Sequence, residues 1–135
     1  MTGAADRLAG TAEVEVCEAF ESIQGESTYA GLSCFFIRLA GCNLRCRYCD
    51  TTQAYGPGRL APVAELAAQA AASRCAISEV TGGEPLLQAE TPALLAAVAA
   101  ATGRPVLVET NGSCDIGRVP AGIVAVMDIK CPGSG

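Results

Sequence analysis

The sequence predicts an α/β chain with mostly parallel strands. Two observations carry this. Short β-branched and aromatic runs alternate with Ala/Leu-rich runs of helical length, and such alternation builds right-handed crossovers and a parallel sheet. Polar or glycine-rich residues also fall just after successive strand-like runs, at Gly41–Asp50, Thr81–Glu84, Thr110–Gly112 and Asp128–Lys130. In parallel α/β folds those strand ends share one edge, where ligands bind.

Each element has a local reason. Val14–Phe20 alternates apolar and polar residues and reads as a strand. Glu21–Gly31 is a loop, and Ser33–Leu39 is a strand with Arg38 near its end. Tyr55-Gly-Pro-Gly58 is a turn. Pro62–Ser73 is a helix with Pro62 in its first turn. Cys75–Val80 is a strand ending in Thr81-Gly-Gly-Glu-Pro85. Thr91–Ala101 is a helix capped by Thr91, with Pro92 at its first position and Gly103 stopping it. Val106–Glu109 and Ile123–Ile129 complete the strands. Four or five parallel strands cannot close an eight-stranded barrel. Residues 1–135 are therefore expected to form one domain core, the N-terminal part of a longer single-domain chain.

Composition excludes several classes of function. Half of the 135 residues are hydrophobic, too many for a disordered tail. No apolar run reaches the roughly eighteen residues of a membrane helix. Met1–Ala12 lacks a basic stretch followed by an apolar one, so no export signal is visible and a cytoplasmic location is expected. A net charge of −5 argues against a general nucleic-acid binder. There is no histidine, which removes imidazole bases, Ser-His and Cys-His nucleophiles and every His-containing metal site. There are eight cysteines, and in a reducing compartment clustered thiols favour metal over disulfides.

Three cysteines are clustered, as Cys42-Asn-Leu-Arg-Cys46-Arg-Tyr-Cys49. Their polar flanks mark a loop rather than a core. Three thiolates can wrap one small cluster from a single loop. A structural zinc site wants four ligands, whereas a [4Fe–4S] cluster held by three cysteines leaves one iron open. A zinc site borrowing Cys34 or Cys75 is the alternative. Cys17 and Cys34 read as core thiols within strands, and Cys75 as the end of an Ala-rich helix. Cys114 follows a turn, and Cys131 lies near another motif.

The cysteine spacing, followed by Gly82-Gly83-Glu84 after a later strand, resembles the radical S-adenosylmethionine (SAM) enzymes. That resemblance implies a full or partial (β/α) barrel, here a partial one. It implies a [4Fe–4S] cluster on Cys42, Cys46 and Cys49, with SAM on the open iron. Tyr48, Cys49 and Asp50 would flank SAM, and Gly82, Gly83 and Glu84 would meet its methionine end. Ser22-Ile-Gln-Gly-Glu26, Arg38, Gly41-Cys-Asn and Cys49-Asp-Thr51 further resemble the 7-carboxy-7-deazaguanine synthase family. Such a chain converts 6-carboxy-5,6,7,8-tetrahydropterin to 7-carboxy-7-deazaguanine with loss of ammonia, on the way to queuosine and related 7-deazapurines. Ile23, Gln24, Gly25, Glu26, Arg38 and Thr81 align with its substrate contacts, and Thr51 with its Mg²⁺ ligand. Asp128, Ile129 and Lys130 align with a SAM-binding segment in which Asp128 replaces the usual serine. The implied chemistry starts with one electron into the cluster. SAM then cleaves to methionine and a 5′-deoxyadenosyl radical, which removes hydrogen from the pterin C6. Ring contraction, hydrogen return and ammonia loss follow.

The residues make chemical sense independently. Arg38 can pair bidentately with a carboxylate, or be an ordinary ion pair. Gln24 and Glu26 match the donor and acceptor edge of an aminopyrimidinone, or belong to a solvated loop. The Thr51 hydroxyl is a hard oxygen suited to Mg²⁺, or a helix cap. No residue need act as an acid–base catalyst, consistent with the missing histidine. Expected partners are the pterin, an electron donor such as flavodoxin or ferredoxin, and a second copy in a homodimer. No nucleic acid or membrane is expected. The rivals are another radical SAM activity, such as a glycyl-radical activase, and a non-enzymatic iron–sulfur or zinc domain.

Overall fold

The computed structural model describes residues 12–41 and 58–127. Its strands are β1 (Glu13–Ile23), β2 (Ser33–Leu39), β3 (Arg59–Pro62), β4 (Ile77–Gly82), β5 (Val106–Thr110) and β6 (Val124–Met127). Its helices are α1 (Val63–Ala72) and α2 (Thr91–Thr102). Single 3₁₀ turns, Pro85–Leu87 and Ile116–Arg118, sit in two connections. The strands form one six-stranded sheet in the order β3-β1-β2-β4-β5-β6, and among the described residues its two edge strands do not pair to close it.

The parallel half is as expected. β2, β4, β5 and β6 pair in parallel. In the other half β1 runs antiparallel to both β2 and β3, so the sheet is mostly rather than wholly parallel, as expected. A parallel pairing needs a long crossover, and the connection from Ile23 to Ser33 carries no helix. The β3 segment was not expected as a strand, being short and ending in Pro62. It lies at the sheet edge, where a proline N–H is not missed.

Boundaries shift for local reasons. β1 extends through Ile23, so the following loop starts later than expected. Pro62 occupies the N-cap position of α1 rather than its first turn, with extended backbone. The cap position of α2 is Glu90, not Thr91. The Thr91 hydroxyl instead donates to the Pro85 carbonyl and ties the helix start to the 3₁₀ turn. Gly103 ends α2 in the left-handed conformation at φ 63°, as its position predicts. Cys75 lies beyond α1, buried, and does not end it. Cys17 is only half-buried, at the β1 bulge between Val16 and Glu18, whereas Cys34 is fully buried as expected. The turn at Tyr55–Gly58 lies outside the described residues except for Gly58, and the end of the last expected strand, Asp128–Ile129, lies wholly outside them.

Both helices cover one face. Leu66 and Ala70 of α1 and Leu94, Leu95 and Val98 of α2 pack with Val14, Val16, Ile37, Leu39, Val80 and Val108 of the strands. The opposite face carries a smaller apolar cluster of Cys34, Ile77 and Leu107, flanked by Tyr29, Phe36, Val124 and Val126. Successive strand residues point to opposite faces, so Arg38, Glu79 and Glu109, each beside a helix-side aliphatic, belong to this second face. Among the described residues no helix is long and apolar enough to cross a membrane.

Candidate functional site

The strand ends converge on one rim, and Glu84 fastens them. Its N–H donates to the Gly41 carbonyl at 2.8 Å, tying the end of β4 to the end of β2. Its fully buried carboxylate accepts from the Thr110 hydroxyl at 2.9 Å and from the Asn111 N–H at 2.7 Å, both at the end of β5. The second oxygen also takes the Leu86 N–H at 2.8 Å, capping the 3₁₀ turn. Three of the four strand-end segments expected to converge are thus joined; the fourth, Asp128–Lys130, lies outside the described residues.

Gly82 shows why glycine is needed there. A Cβ would sit 2.3 Å from the Leu39 carbonyl oxygen, at a φ of +151°. The backbone of the Thr81–Glu84 segment therefore presses directly on Leu39 at the end of β2, three residues before Cys42. That segment, with Cys42, Cys46, Tyr48, Cys49, Asp50 and Thr51, lies outside the described residues. Its two anchors do not. The chain leaves at Gly41 and re-enters at Gly58, where a Cβ would stand 2.9 Å from the Ala40 Cβ and 2.5 Å from the Val16 oxygen. Gln88 braces this base. Its side chain donates to the Glu15 and Ala40 carbonyls at 2.9 and 3.2 Å and accepts from the Glu15 N–H at 2.8 Å. Three thiolates carried between two anchored points suit an iron–sulfur cluster with one open iron. Among the described residues no group of three or more cysteines and carboxylates is placed to hold a metal ion.

Below the rim, the face opposite α1 and α2 carries charge. Arg38 of β2 lies opposite Glu18 of β1, and its Nε donates to the Glu18 carboxylate at 2.8 Å. Its guanidinium also stands 5.8 Å over the Phe20 ring, which stacks on Phe36 at 5.3 Å. Arg38 is in register with buried Thr81 on β4. Of the expected loop residues, Gln24 is buried, whereas Ile23, Gly25 and Glu26 are exposed. Gln24 is held by both its main chain and its side chain. Its N–H donates to the Leu32 carbonyl at 2.9 Å, and its carbonyl accepts from Gly31 at 2.7 Å. Its Nε2 donates to the buried Glu79 carboxylate at 2.7 Å, and its Oε1 accepts the Glu26 N–H at 3.1 Å.

Glu79 and Glu109 were not singled out from the sequence. Each is a lone carboxylate inside an otherwise apolar strand, Ile77-Ser-Glu-Val80 and Val106-Leu-Val-Glu109, and that pattern is the signal that could have found them. The carboxyl groups of Glu79, Glu109 and Glu26 lie close enough to act on one another. Burial pushes the Glu109 carboxyl up to about 8, and the negative charges of Glu79 and Glu26 add to the rise. Burial raises Glu79 as well, against the Gln24 and Glu109 hydrogen bonds and the Arg38 charge, which favour its ionised form. Burial and the two neighbouring carboxyls thus favour a proton on Glu109. The Cys34 thiol, pushed up to about 12 chiefly by burial, is inert packing rather than a ligand.

Comparisons with known proteins agree with this architecture. A profile of the radical SAM superfamily matches residues 36–120. The chain is 47% identical, over 92% of its length, to a 7-carboxy-7-deazaguanine synthase of Chlorobaculum tepidum, covering 56% of that protein. It is 40% identical, over 99% of its length, to the protein of the same name from Methanospirillum hungatei, covering 57% of it. The chain thus spans little more than half the length of these curated relatives. The fold matches the crystal structure of QueE from Escherichia coli with a TM-score of 0.84 at 21% identity, covering 98% of this chain and 67% of that one.

Proposed function

The chain belongs to the radical SAM superfamily, and on that premise we propose that it carries out the 7-carboxy-7-deazaguanine synthase reaction. It would act as a carbon–nitrogen lyase on 6-carboxy-5,6,7,8-tetrahydropterin, releasing ammonia, in the cytoplasmic route to queuosine or a related 7-deazapurine. The observation that carries this reading is a juxtaposition. The Gln24–Glu26 loop, Arg38 and Thr81 share the face opposite α1 and α2, directly below the rim where the cysteine segment leaves the sheet. Similarity across nearly the whole chain to proteins named for this activity supports it.

In this reading Cys42, Cys46 and Cys49 hold the [4Fe–4S] cluster, and Thr51 ligates Mg²⁺. SAM lies against Tyr48, Cys49, Asp50, Gly82, Gly83, Glu84 and the Asp128–Ile129–Lys130 segment. Glu84 offers SAM its main chain, because its carboxylate is taken up by Thr110, Asn111 and Leu86. When bound, the cluster and SAM supply radical hydrogen abstraction. The chain's own residues bind and orient. Arg38 attracts the substrate carboxylate while Glu18 holds its Nε in place. The Gln24–Glu26 loop, with Ile23 and Gly25, borders the heterocycle, and the Thr81 hydroxyl adds a hydrogen-bonding group beside Arg38. A flavodoxin- or ferredoxin-type donor supplies the electron, and the working unit is a homodimer.

The test is reconstitution with iron and sulfide, then incubation with SAM, a reductant, Mg²⁺ and the carboxypterin, with mass analysis of the products. Formation of 7-carboxy-7-deazaguanine and ammonia is expected. Bound zinc in place of iron, or SAM cleavage that leaves the carboxypterin untouched, would refute the assignment.

A further inference from the structure

The Gln24–Glu79 hydrogen bond joins residues far apart in sequence and lies in the interior. Its consequences reach the surface. Gln24 has its amide nitrogen on Glu79 and its amide oxygen on the Glu26 N–H, so the side chain is a rigid strut between the sheet and the loop. The Gln24 main chain closes the same loop through Leu32 and Gly31. A glutamine loses considerable rotamer freedom on burial, and both ends of its amide must be satisfied to offset that loss. Glu79 is what satisfies the inner end.

We propose that Glu79 is a positioning residue: by accepting from Gln24 Nε2, with the Glu109 carboxyl close beside it, its carboxyl group holds the Gln24–Glu26 loop in its ligand-facing orientation. Glu79 acts through Gln24 and Glu109, and need not touch a ligand itself. The ligand named for this orientation, the carboxypterin, rests on the function proposed above; the strut does not. The groups facing Glu79 are Gln24 and Glu26 from the loop, Arg38 from β2 and Glu109 from β5. Three carboxyl groups so close to one another cannot all carry charge cheaply. A proton held by Glu109 turns one repulsion into a hydrogen bond, and so lets Glu79 remain the acceptor that Gln24 needs.

The experiment compares Glu79→Ala with Glu79→Gln in the whole chain by amide hydrogen exchange, residue by residue, alongside carboxypterin kinetics. Glutamine at this position can still accept from Gln24 and donate to Glu109. Glu79→Ala is expected to speed exchange of the Glu26 and Gly31 amides about tenfold, while amides of Leu94–Val98 in α2 stay within about twofold. The carboxypterin KM should rise about tenfold with kcat within about threefold, and Glu79→Gln should restore both. Unchanged exchange at Glu26 and Gly31 would overturn the proposal. So would an equal rise throughout α2, or failure of the glutamine variant to rescue. Should Glu79→Ala not fold, Glu79→Met, which keeps the side-chain bulk but offers no oxygen to Gln24, carries the same expectation and the same refutation. If the unaltered chain never turns over the carboxypterin, the functional reading falls while the exchange data still decide the strut.

Discussion

On the helix side of the sheet, β2, β4 and β5 present Ile37, Val80 and Val108, all buried against α1 and α2. On the other side the very next or preceding residues are Arg38, Glu79 and Glu109. The two faces use the same backbone and differ only in what covers them. Two helices leave little water for a polar group, so the first face is mainly apolar. The second face is apolar at the bottom, around Ile77 and Leu107, and polar toward the strand ends. Among the described residues no buried side-chain nitrogen or oxygen lacks a hydrogen-bond partner. The contrast teaches where stability and chemistry are kept. The helix side sets the rigidity of the strand ends, and the far side and rim spend that rigidity on placing functional groups.

The largest expected effect lies at the rim. Replacing Cys42, Cys46 or Cys49 by Ala should abolish bound iron and SAM cleavage together, read by iron analysis and visible absorption. Cys17→Ala and Cys75→Ala should keep both. A cluster lost with Cys75 would move a ligand onto the helix side and break the division of labour. Next is Glu84→Ala. It leaves the Thr110 hydroxyl and the Asn111 and Leu86 N–H groups without their acceptor, and should cost roughly 3–5 kcal/mol in urea unfolding. A loss below about 1 kcal/mol would show that the strand ends are held without it.

Leu95→Ala in α2 should cost about 2–5 kcal/mol, against within about 0.5 kcal/mol for the exposed Leu87→Ala. Equal losses would mean that the helix side is not the main store of stability. The smallest effect is in the pH dependence. Glu109 binds its proton more tightly folded than unfolded, so its contribution is full below the ordinary carboxylate range. It is lost as pH rises from about 4.5 to about 8. Urea midpoints should therefore carry a falling component across that window which Glu109→Gln removes. An identical slope in the variant would place the proton elsewhere in the cluster.

What the sequence settled by itself was local. Period-two alternation marked the first strand, Gly103 marked the end of α2, and the spacing of Cys42, Cys46 and Cys49 named a chemistry without any coordinates. The same holds for Gly82, whose need for glycine was legible as a turn, though not as a close approach to Leu39. The direction of β1 was decided only in three dimensions, because strand polarity depends on how the connection returns and leaves no periodic trace. Glu84 reads as part of a ligand motif, yet its carboxylate ties the end of β4 to the end of β5 through Thr110 and Asn111, partners on a distant segment. Glu79 and Glu109 looked like interruptions in apolar strands. Only the tertiary structure could join them to Gln24, since a buried carboxylate is defined by the partners that packing brings to it, and those partners come from residues far away in the chain.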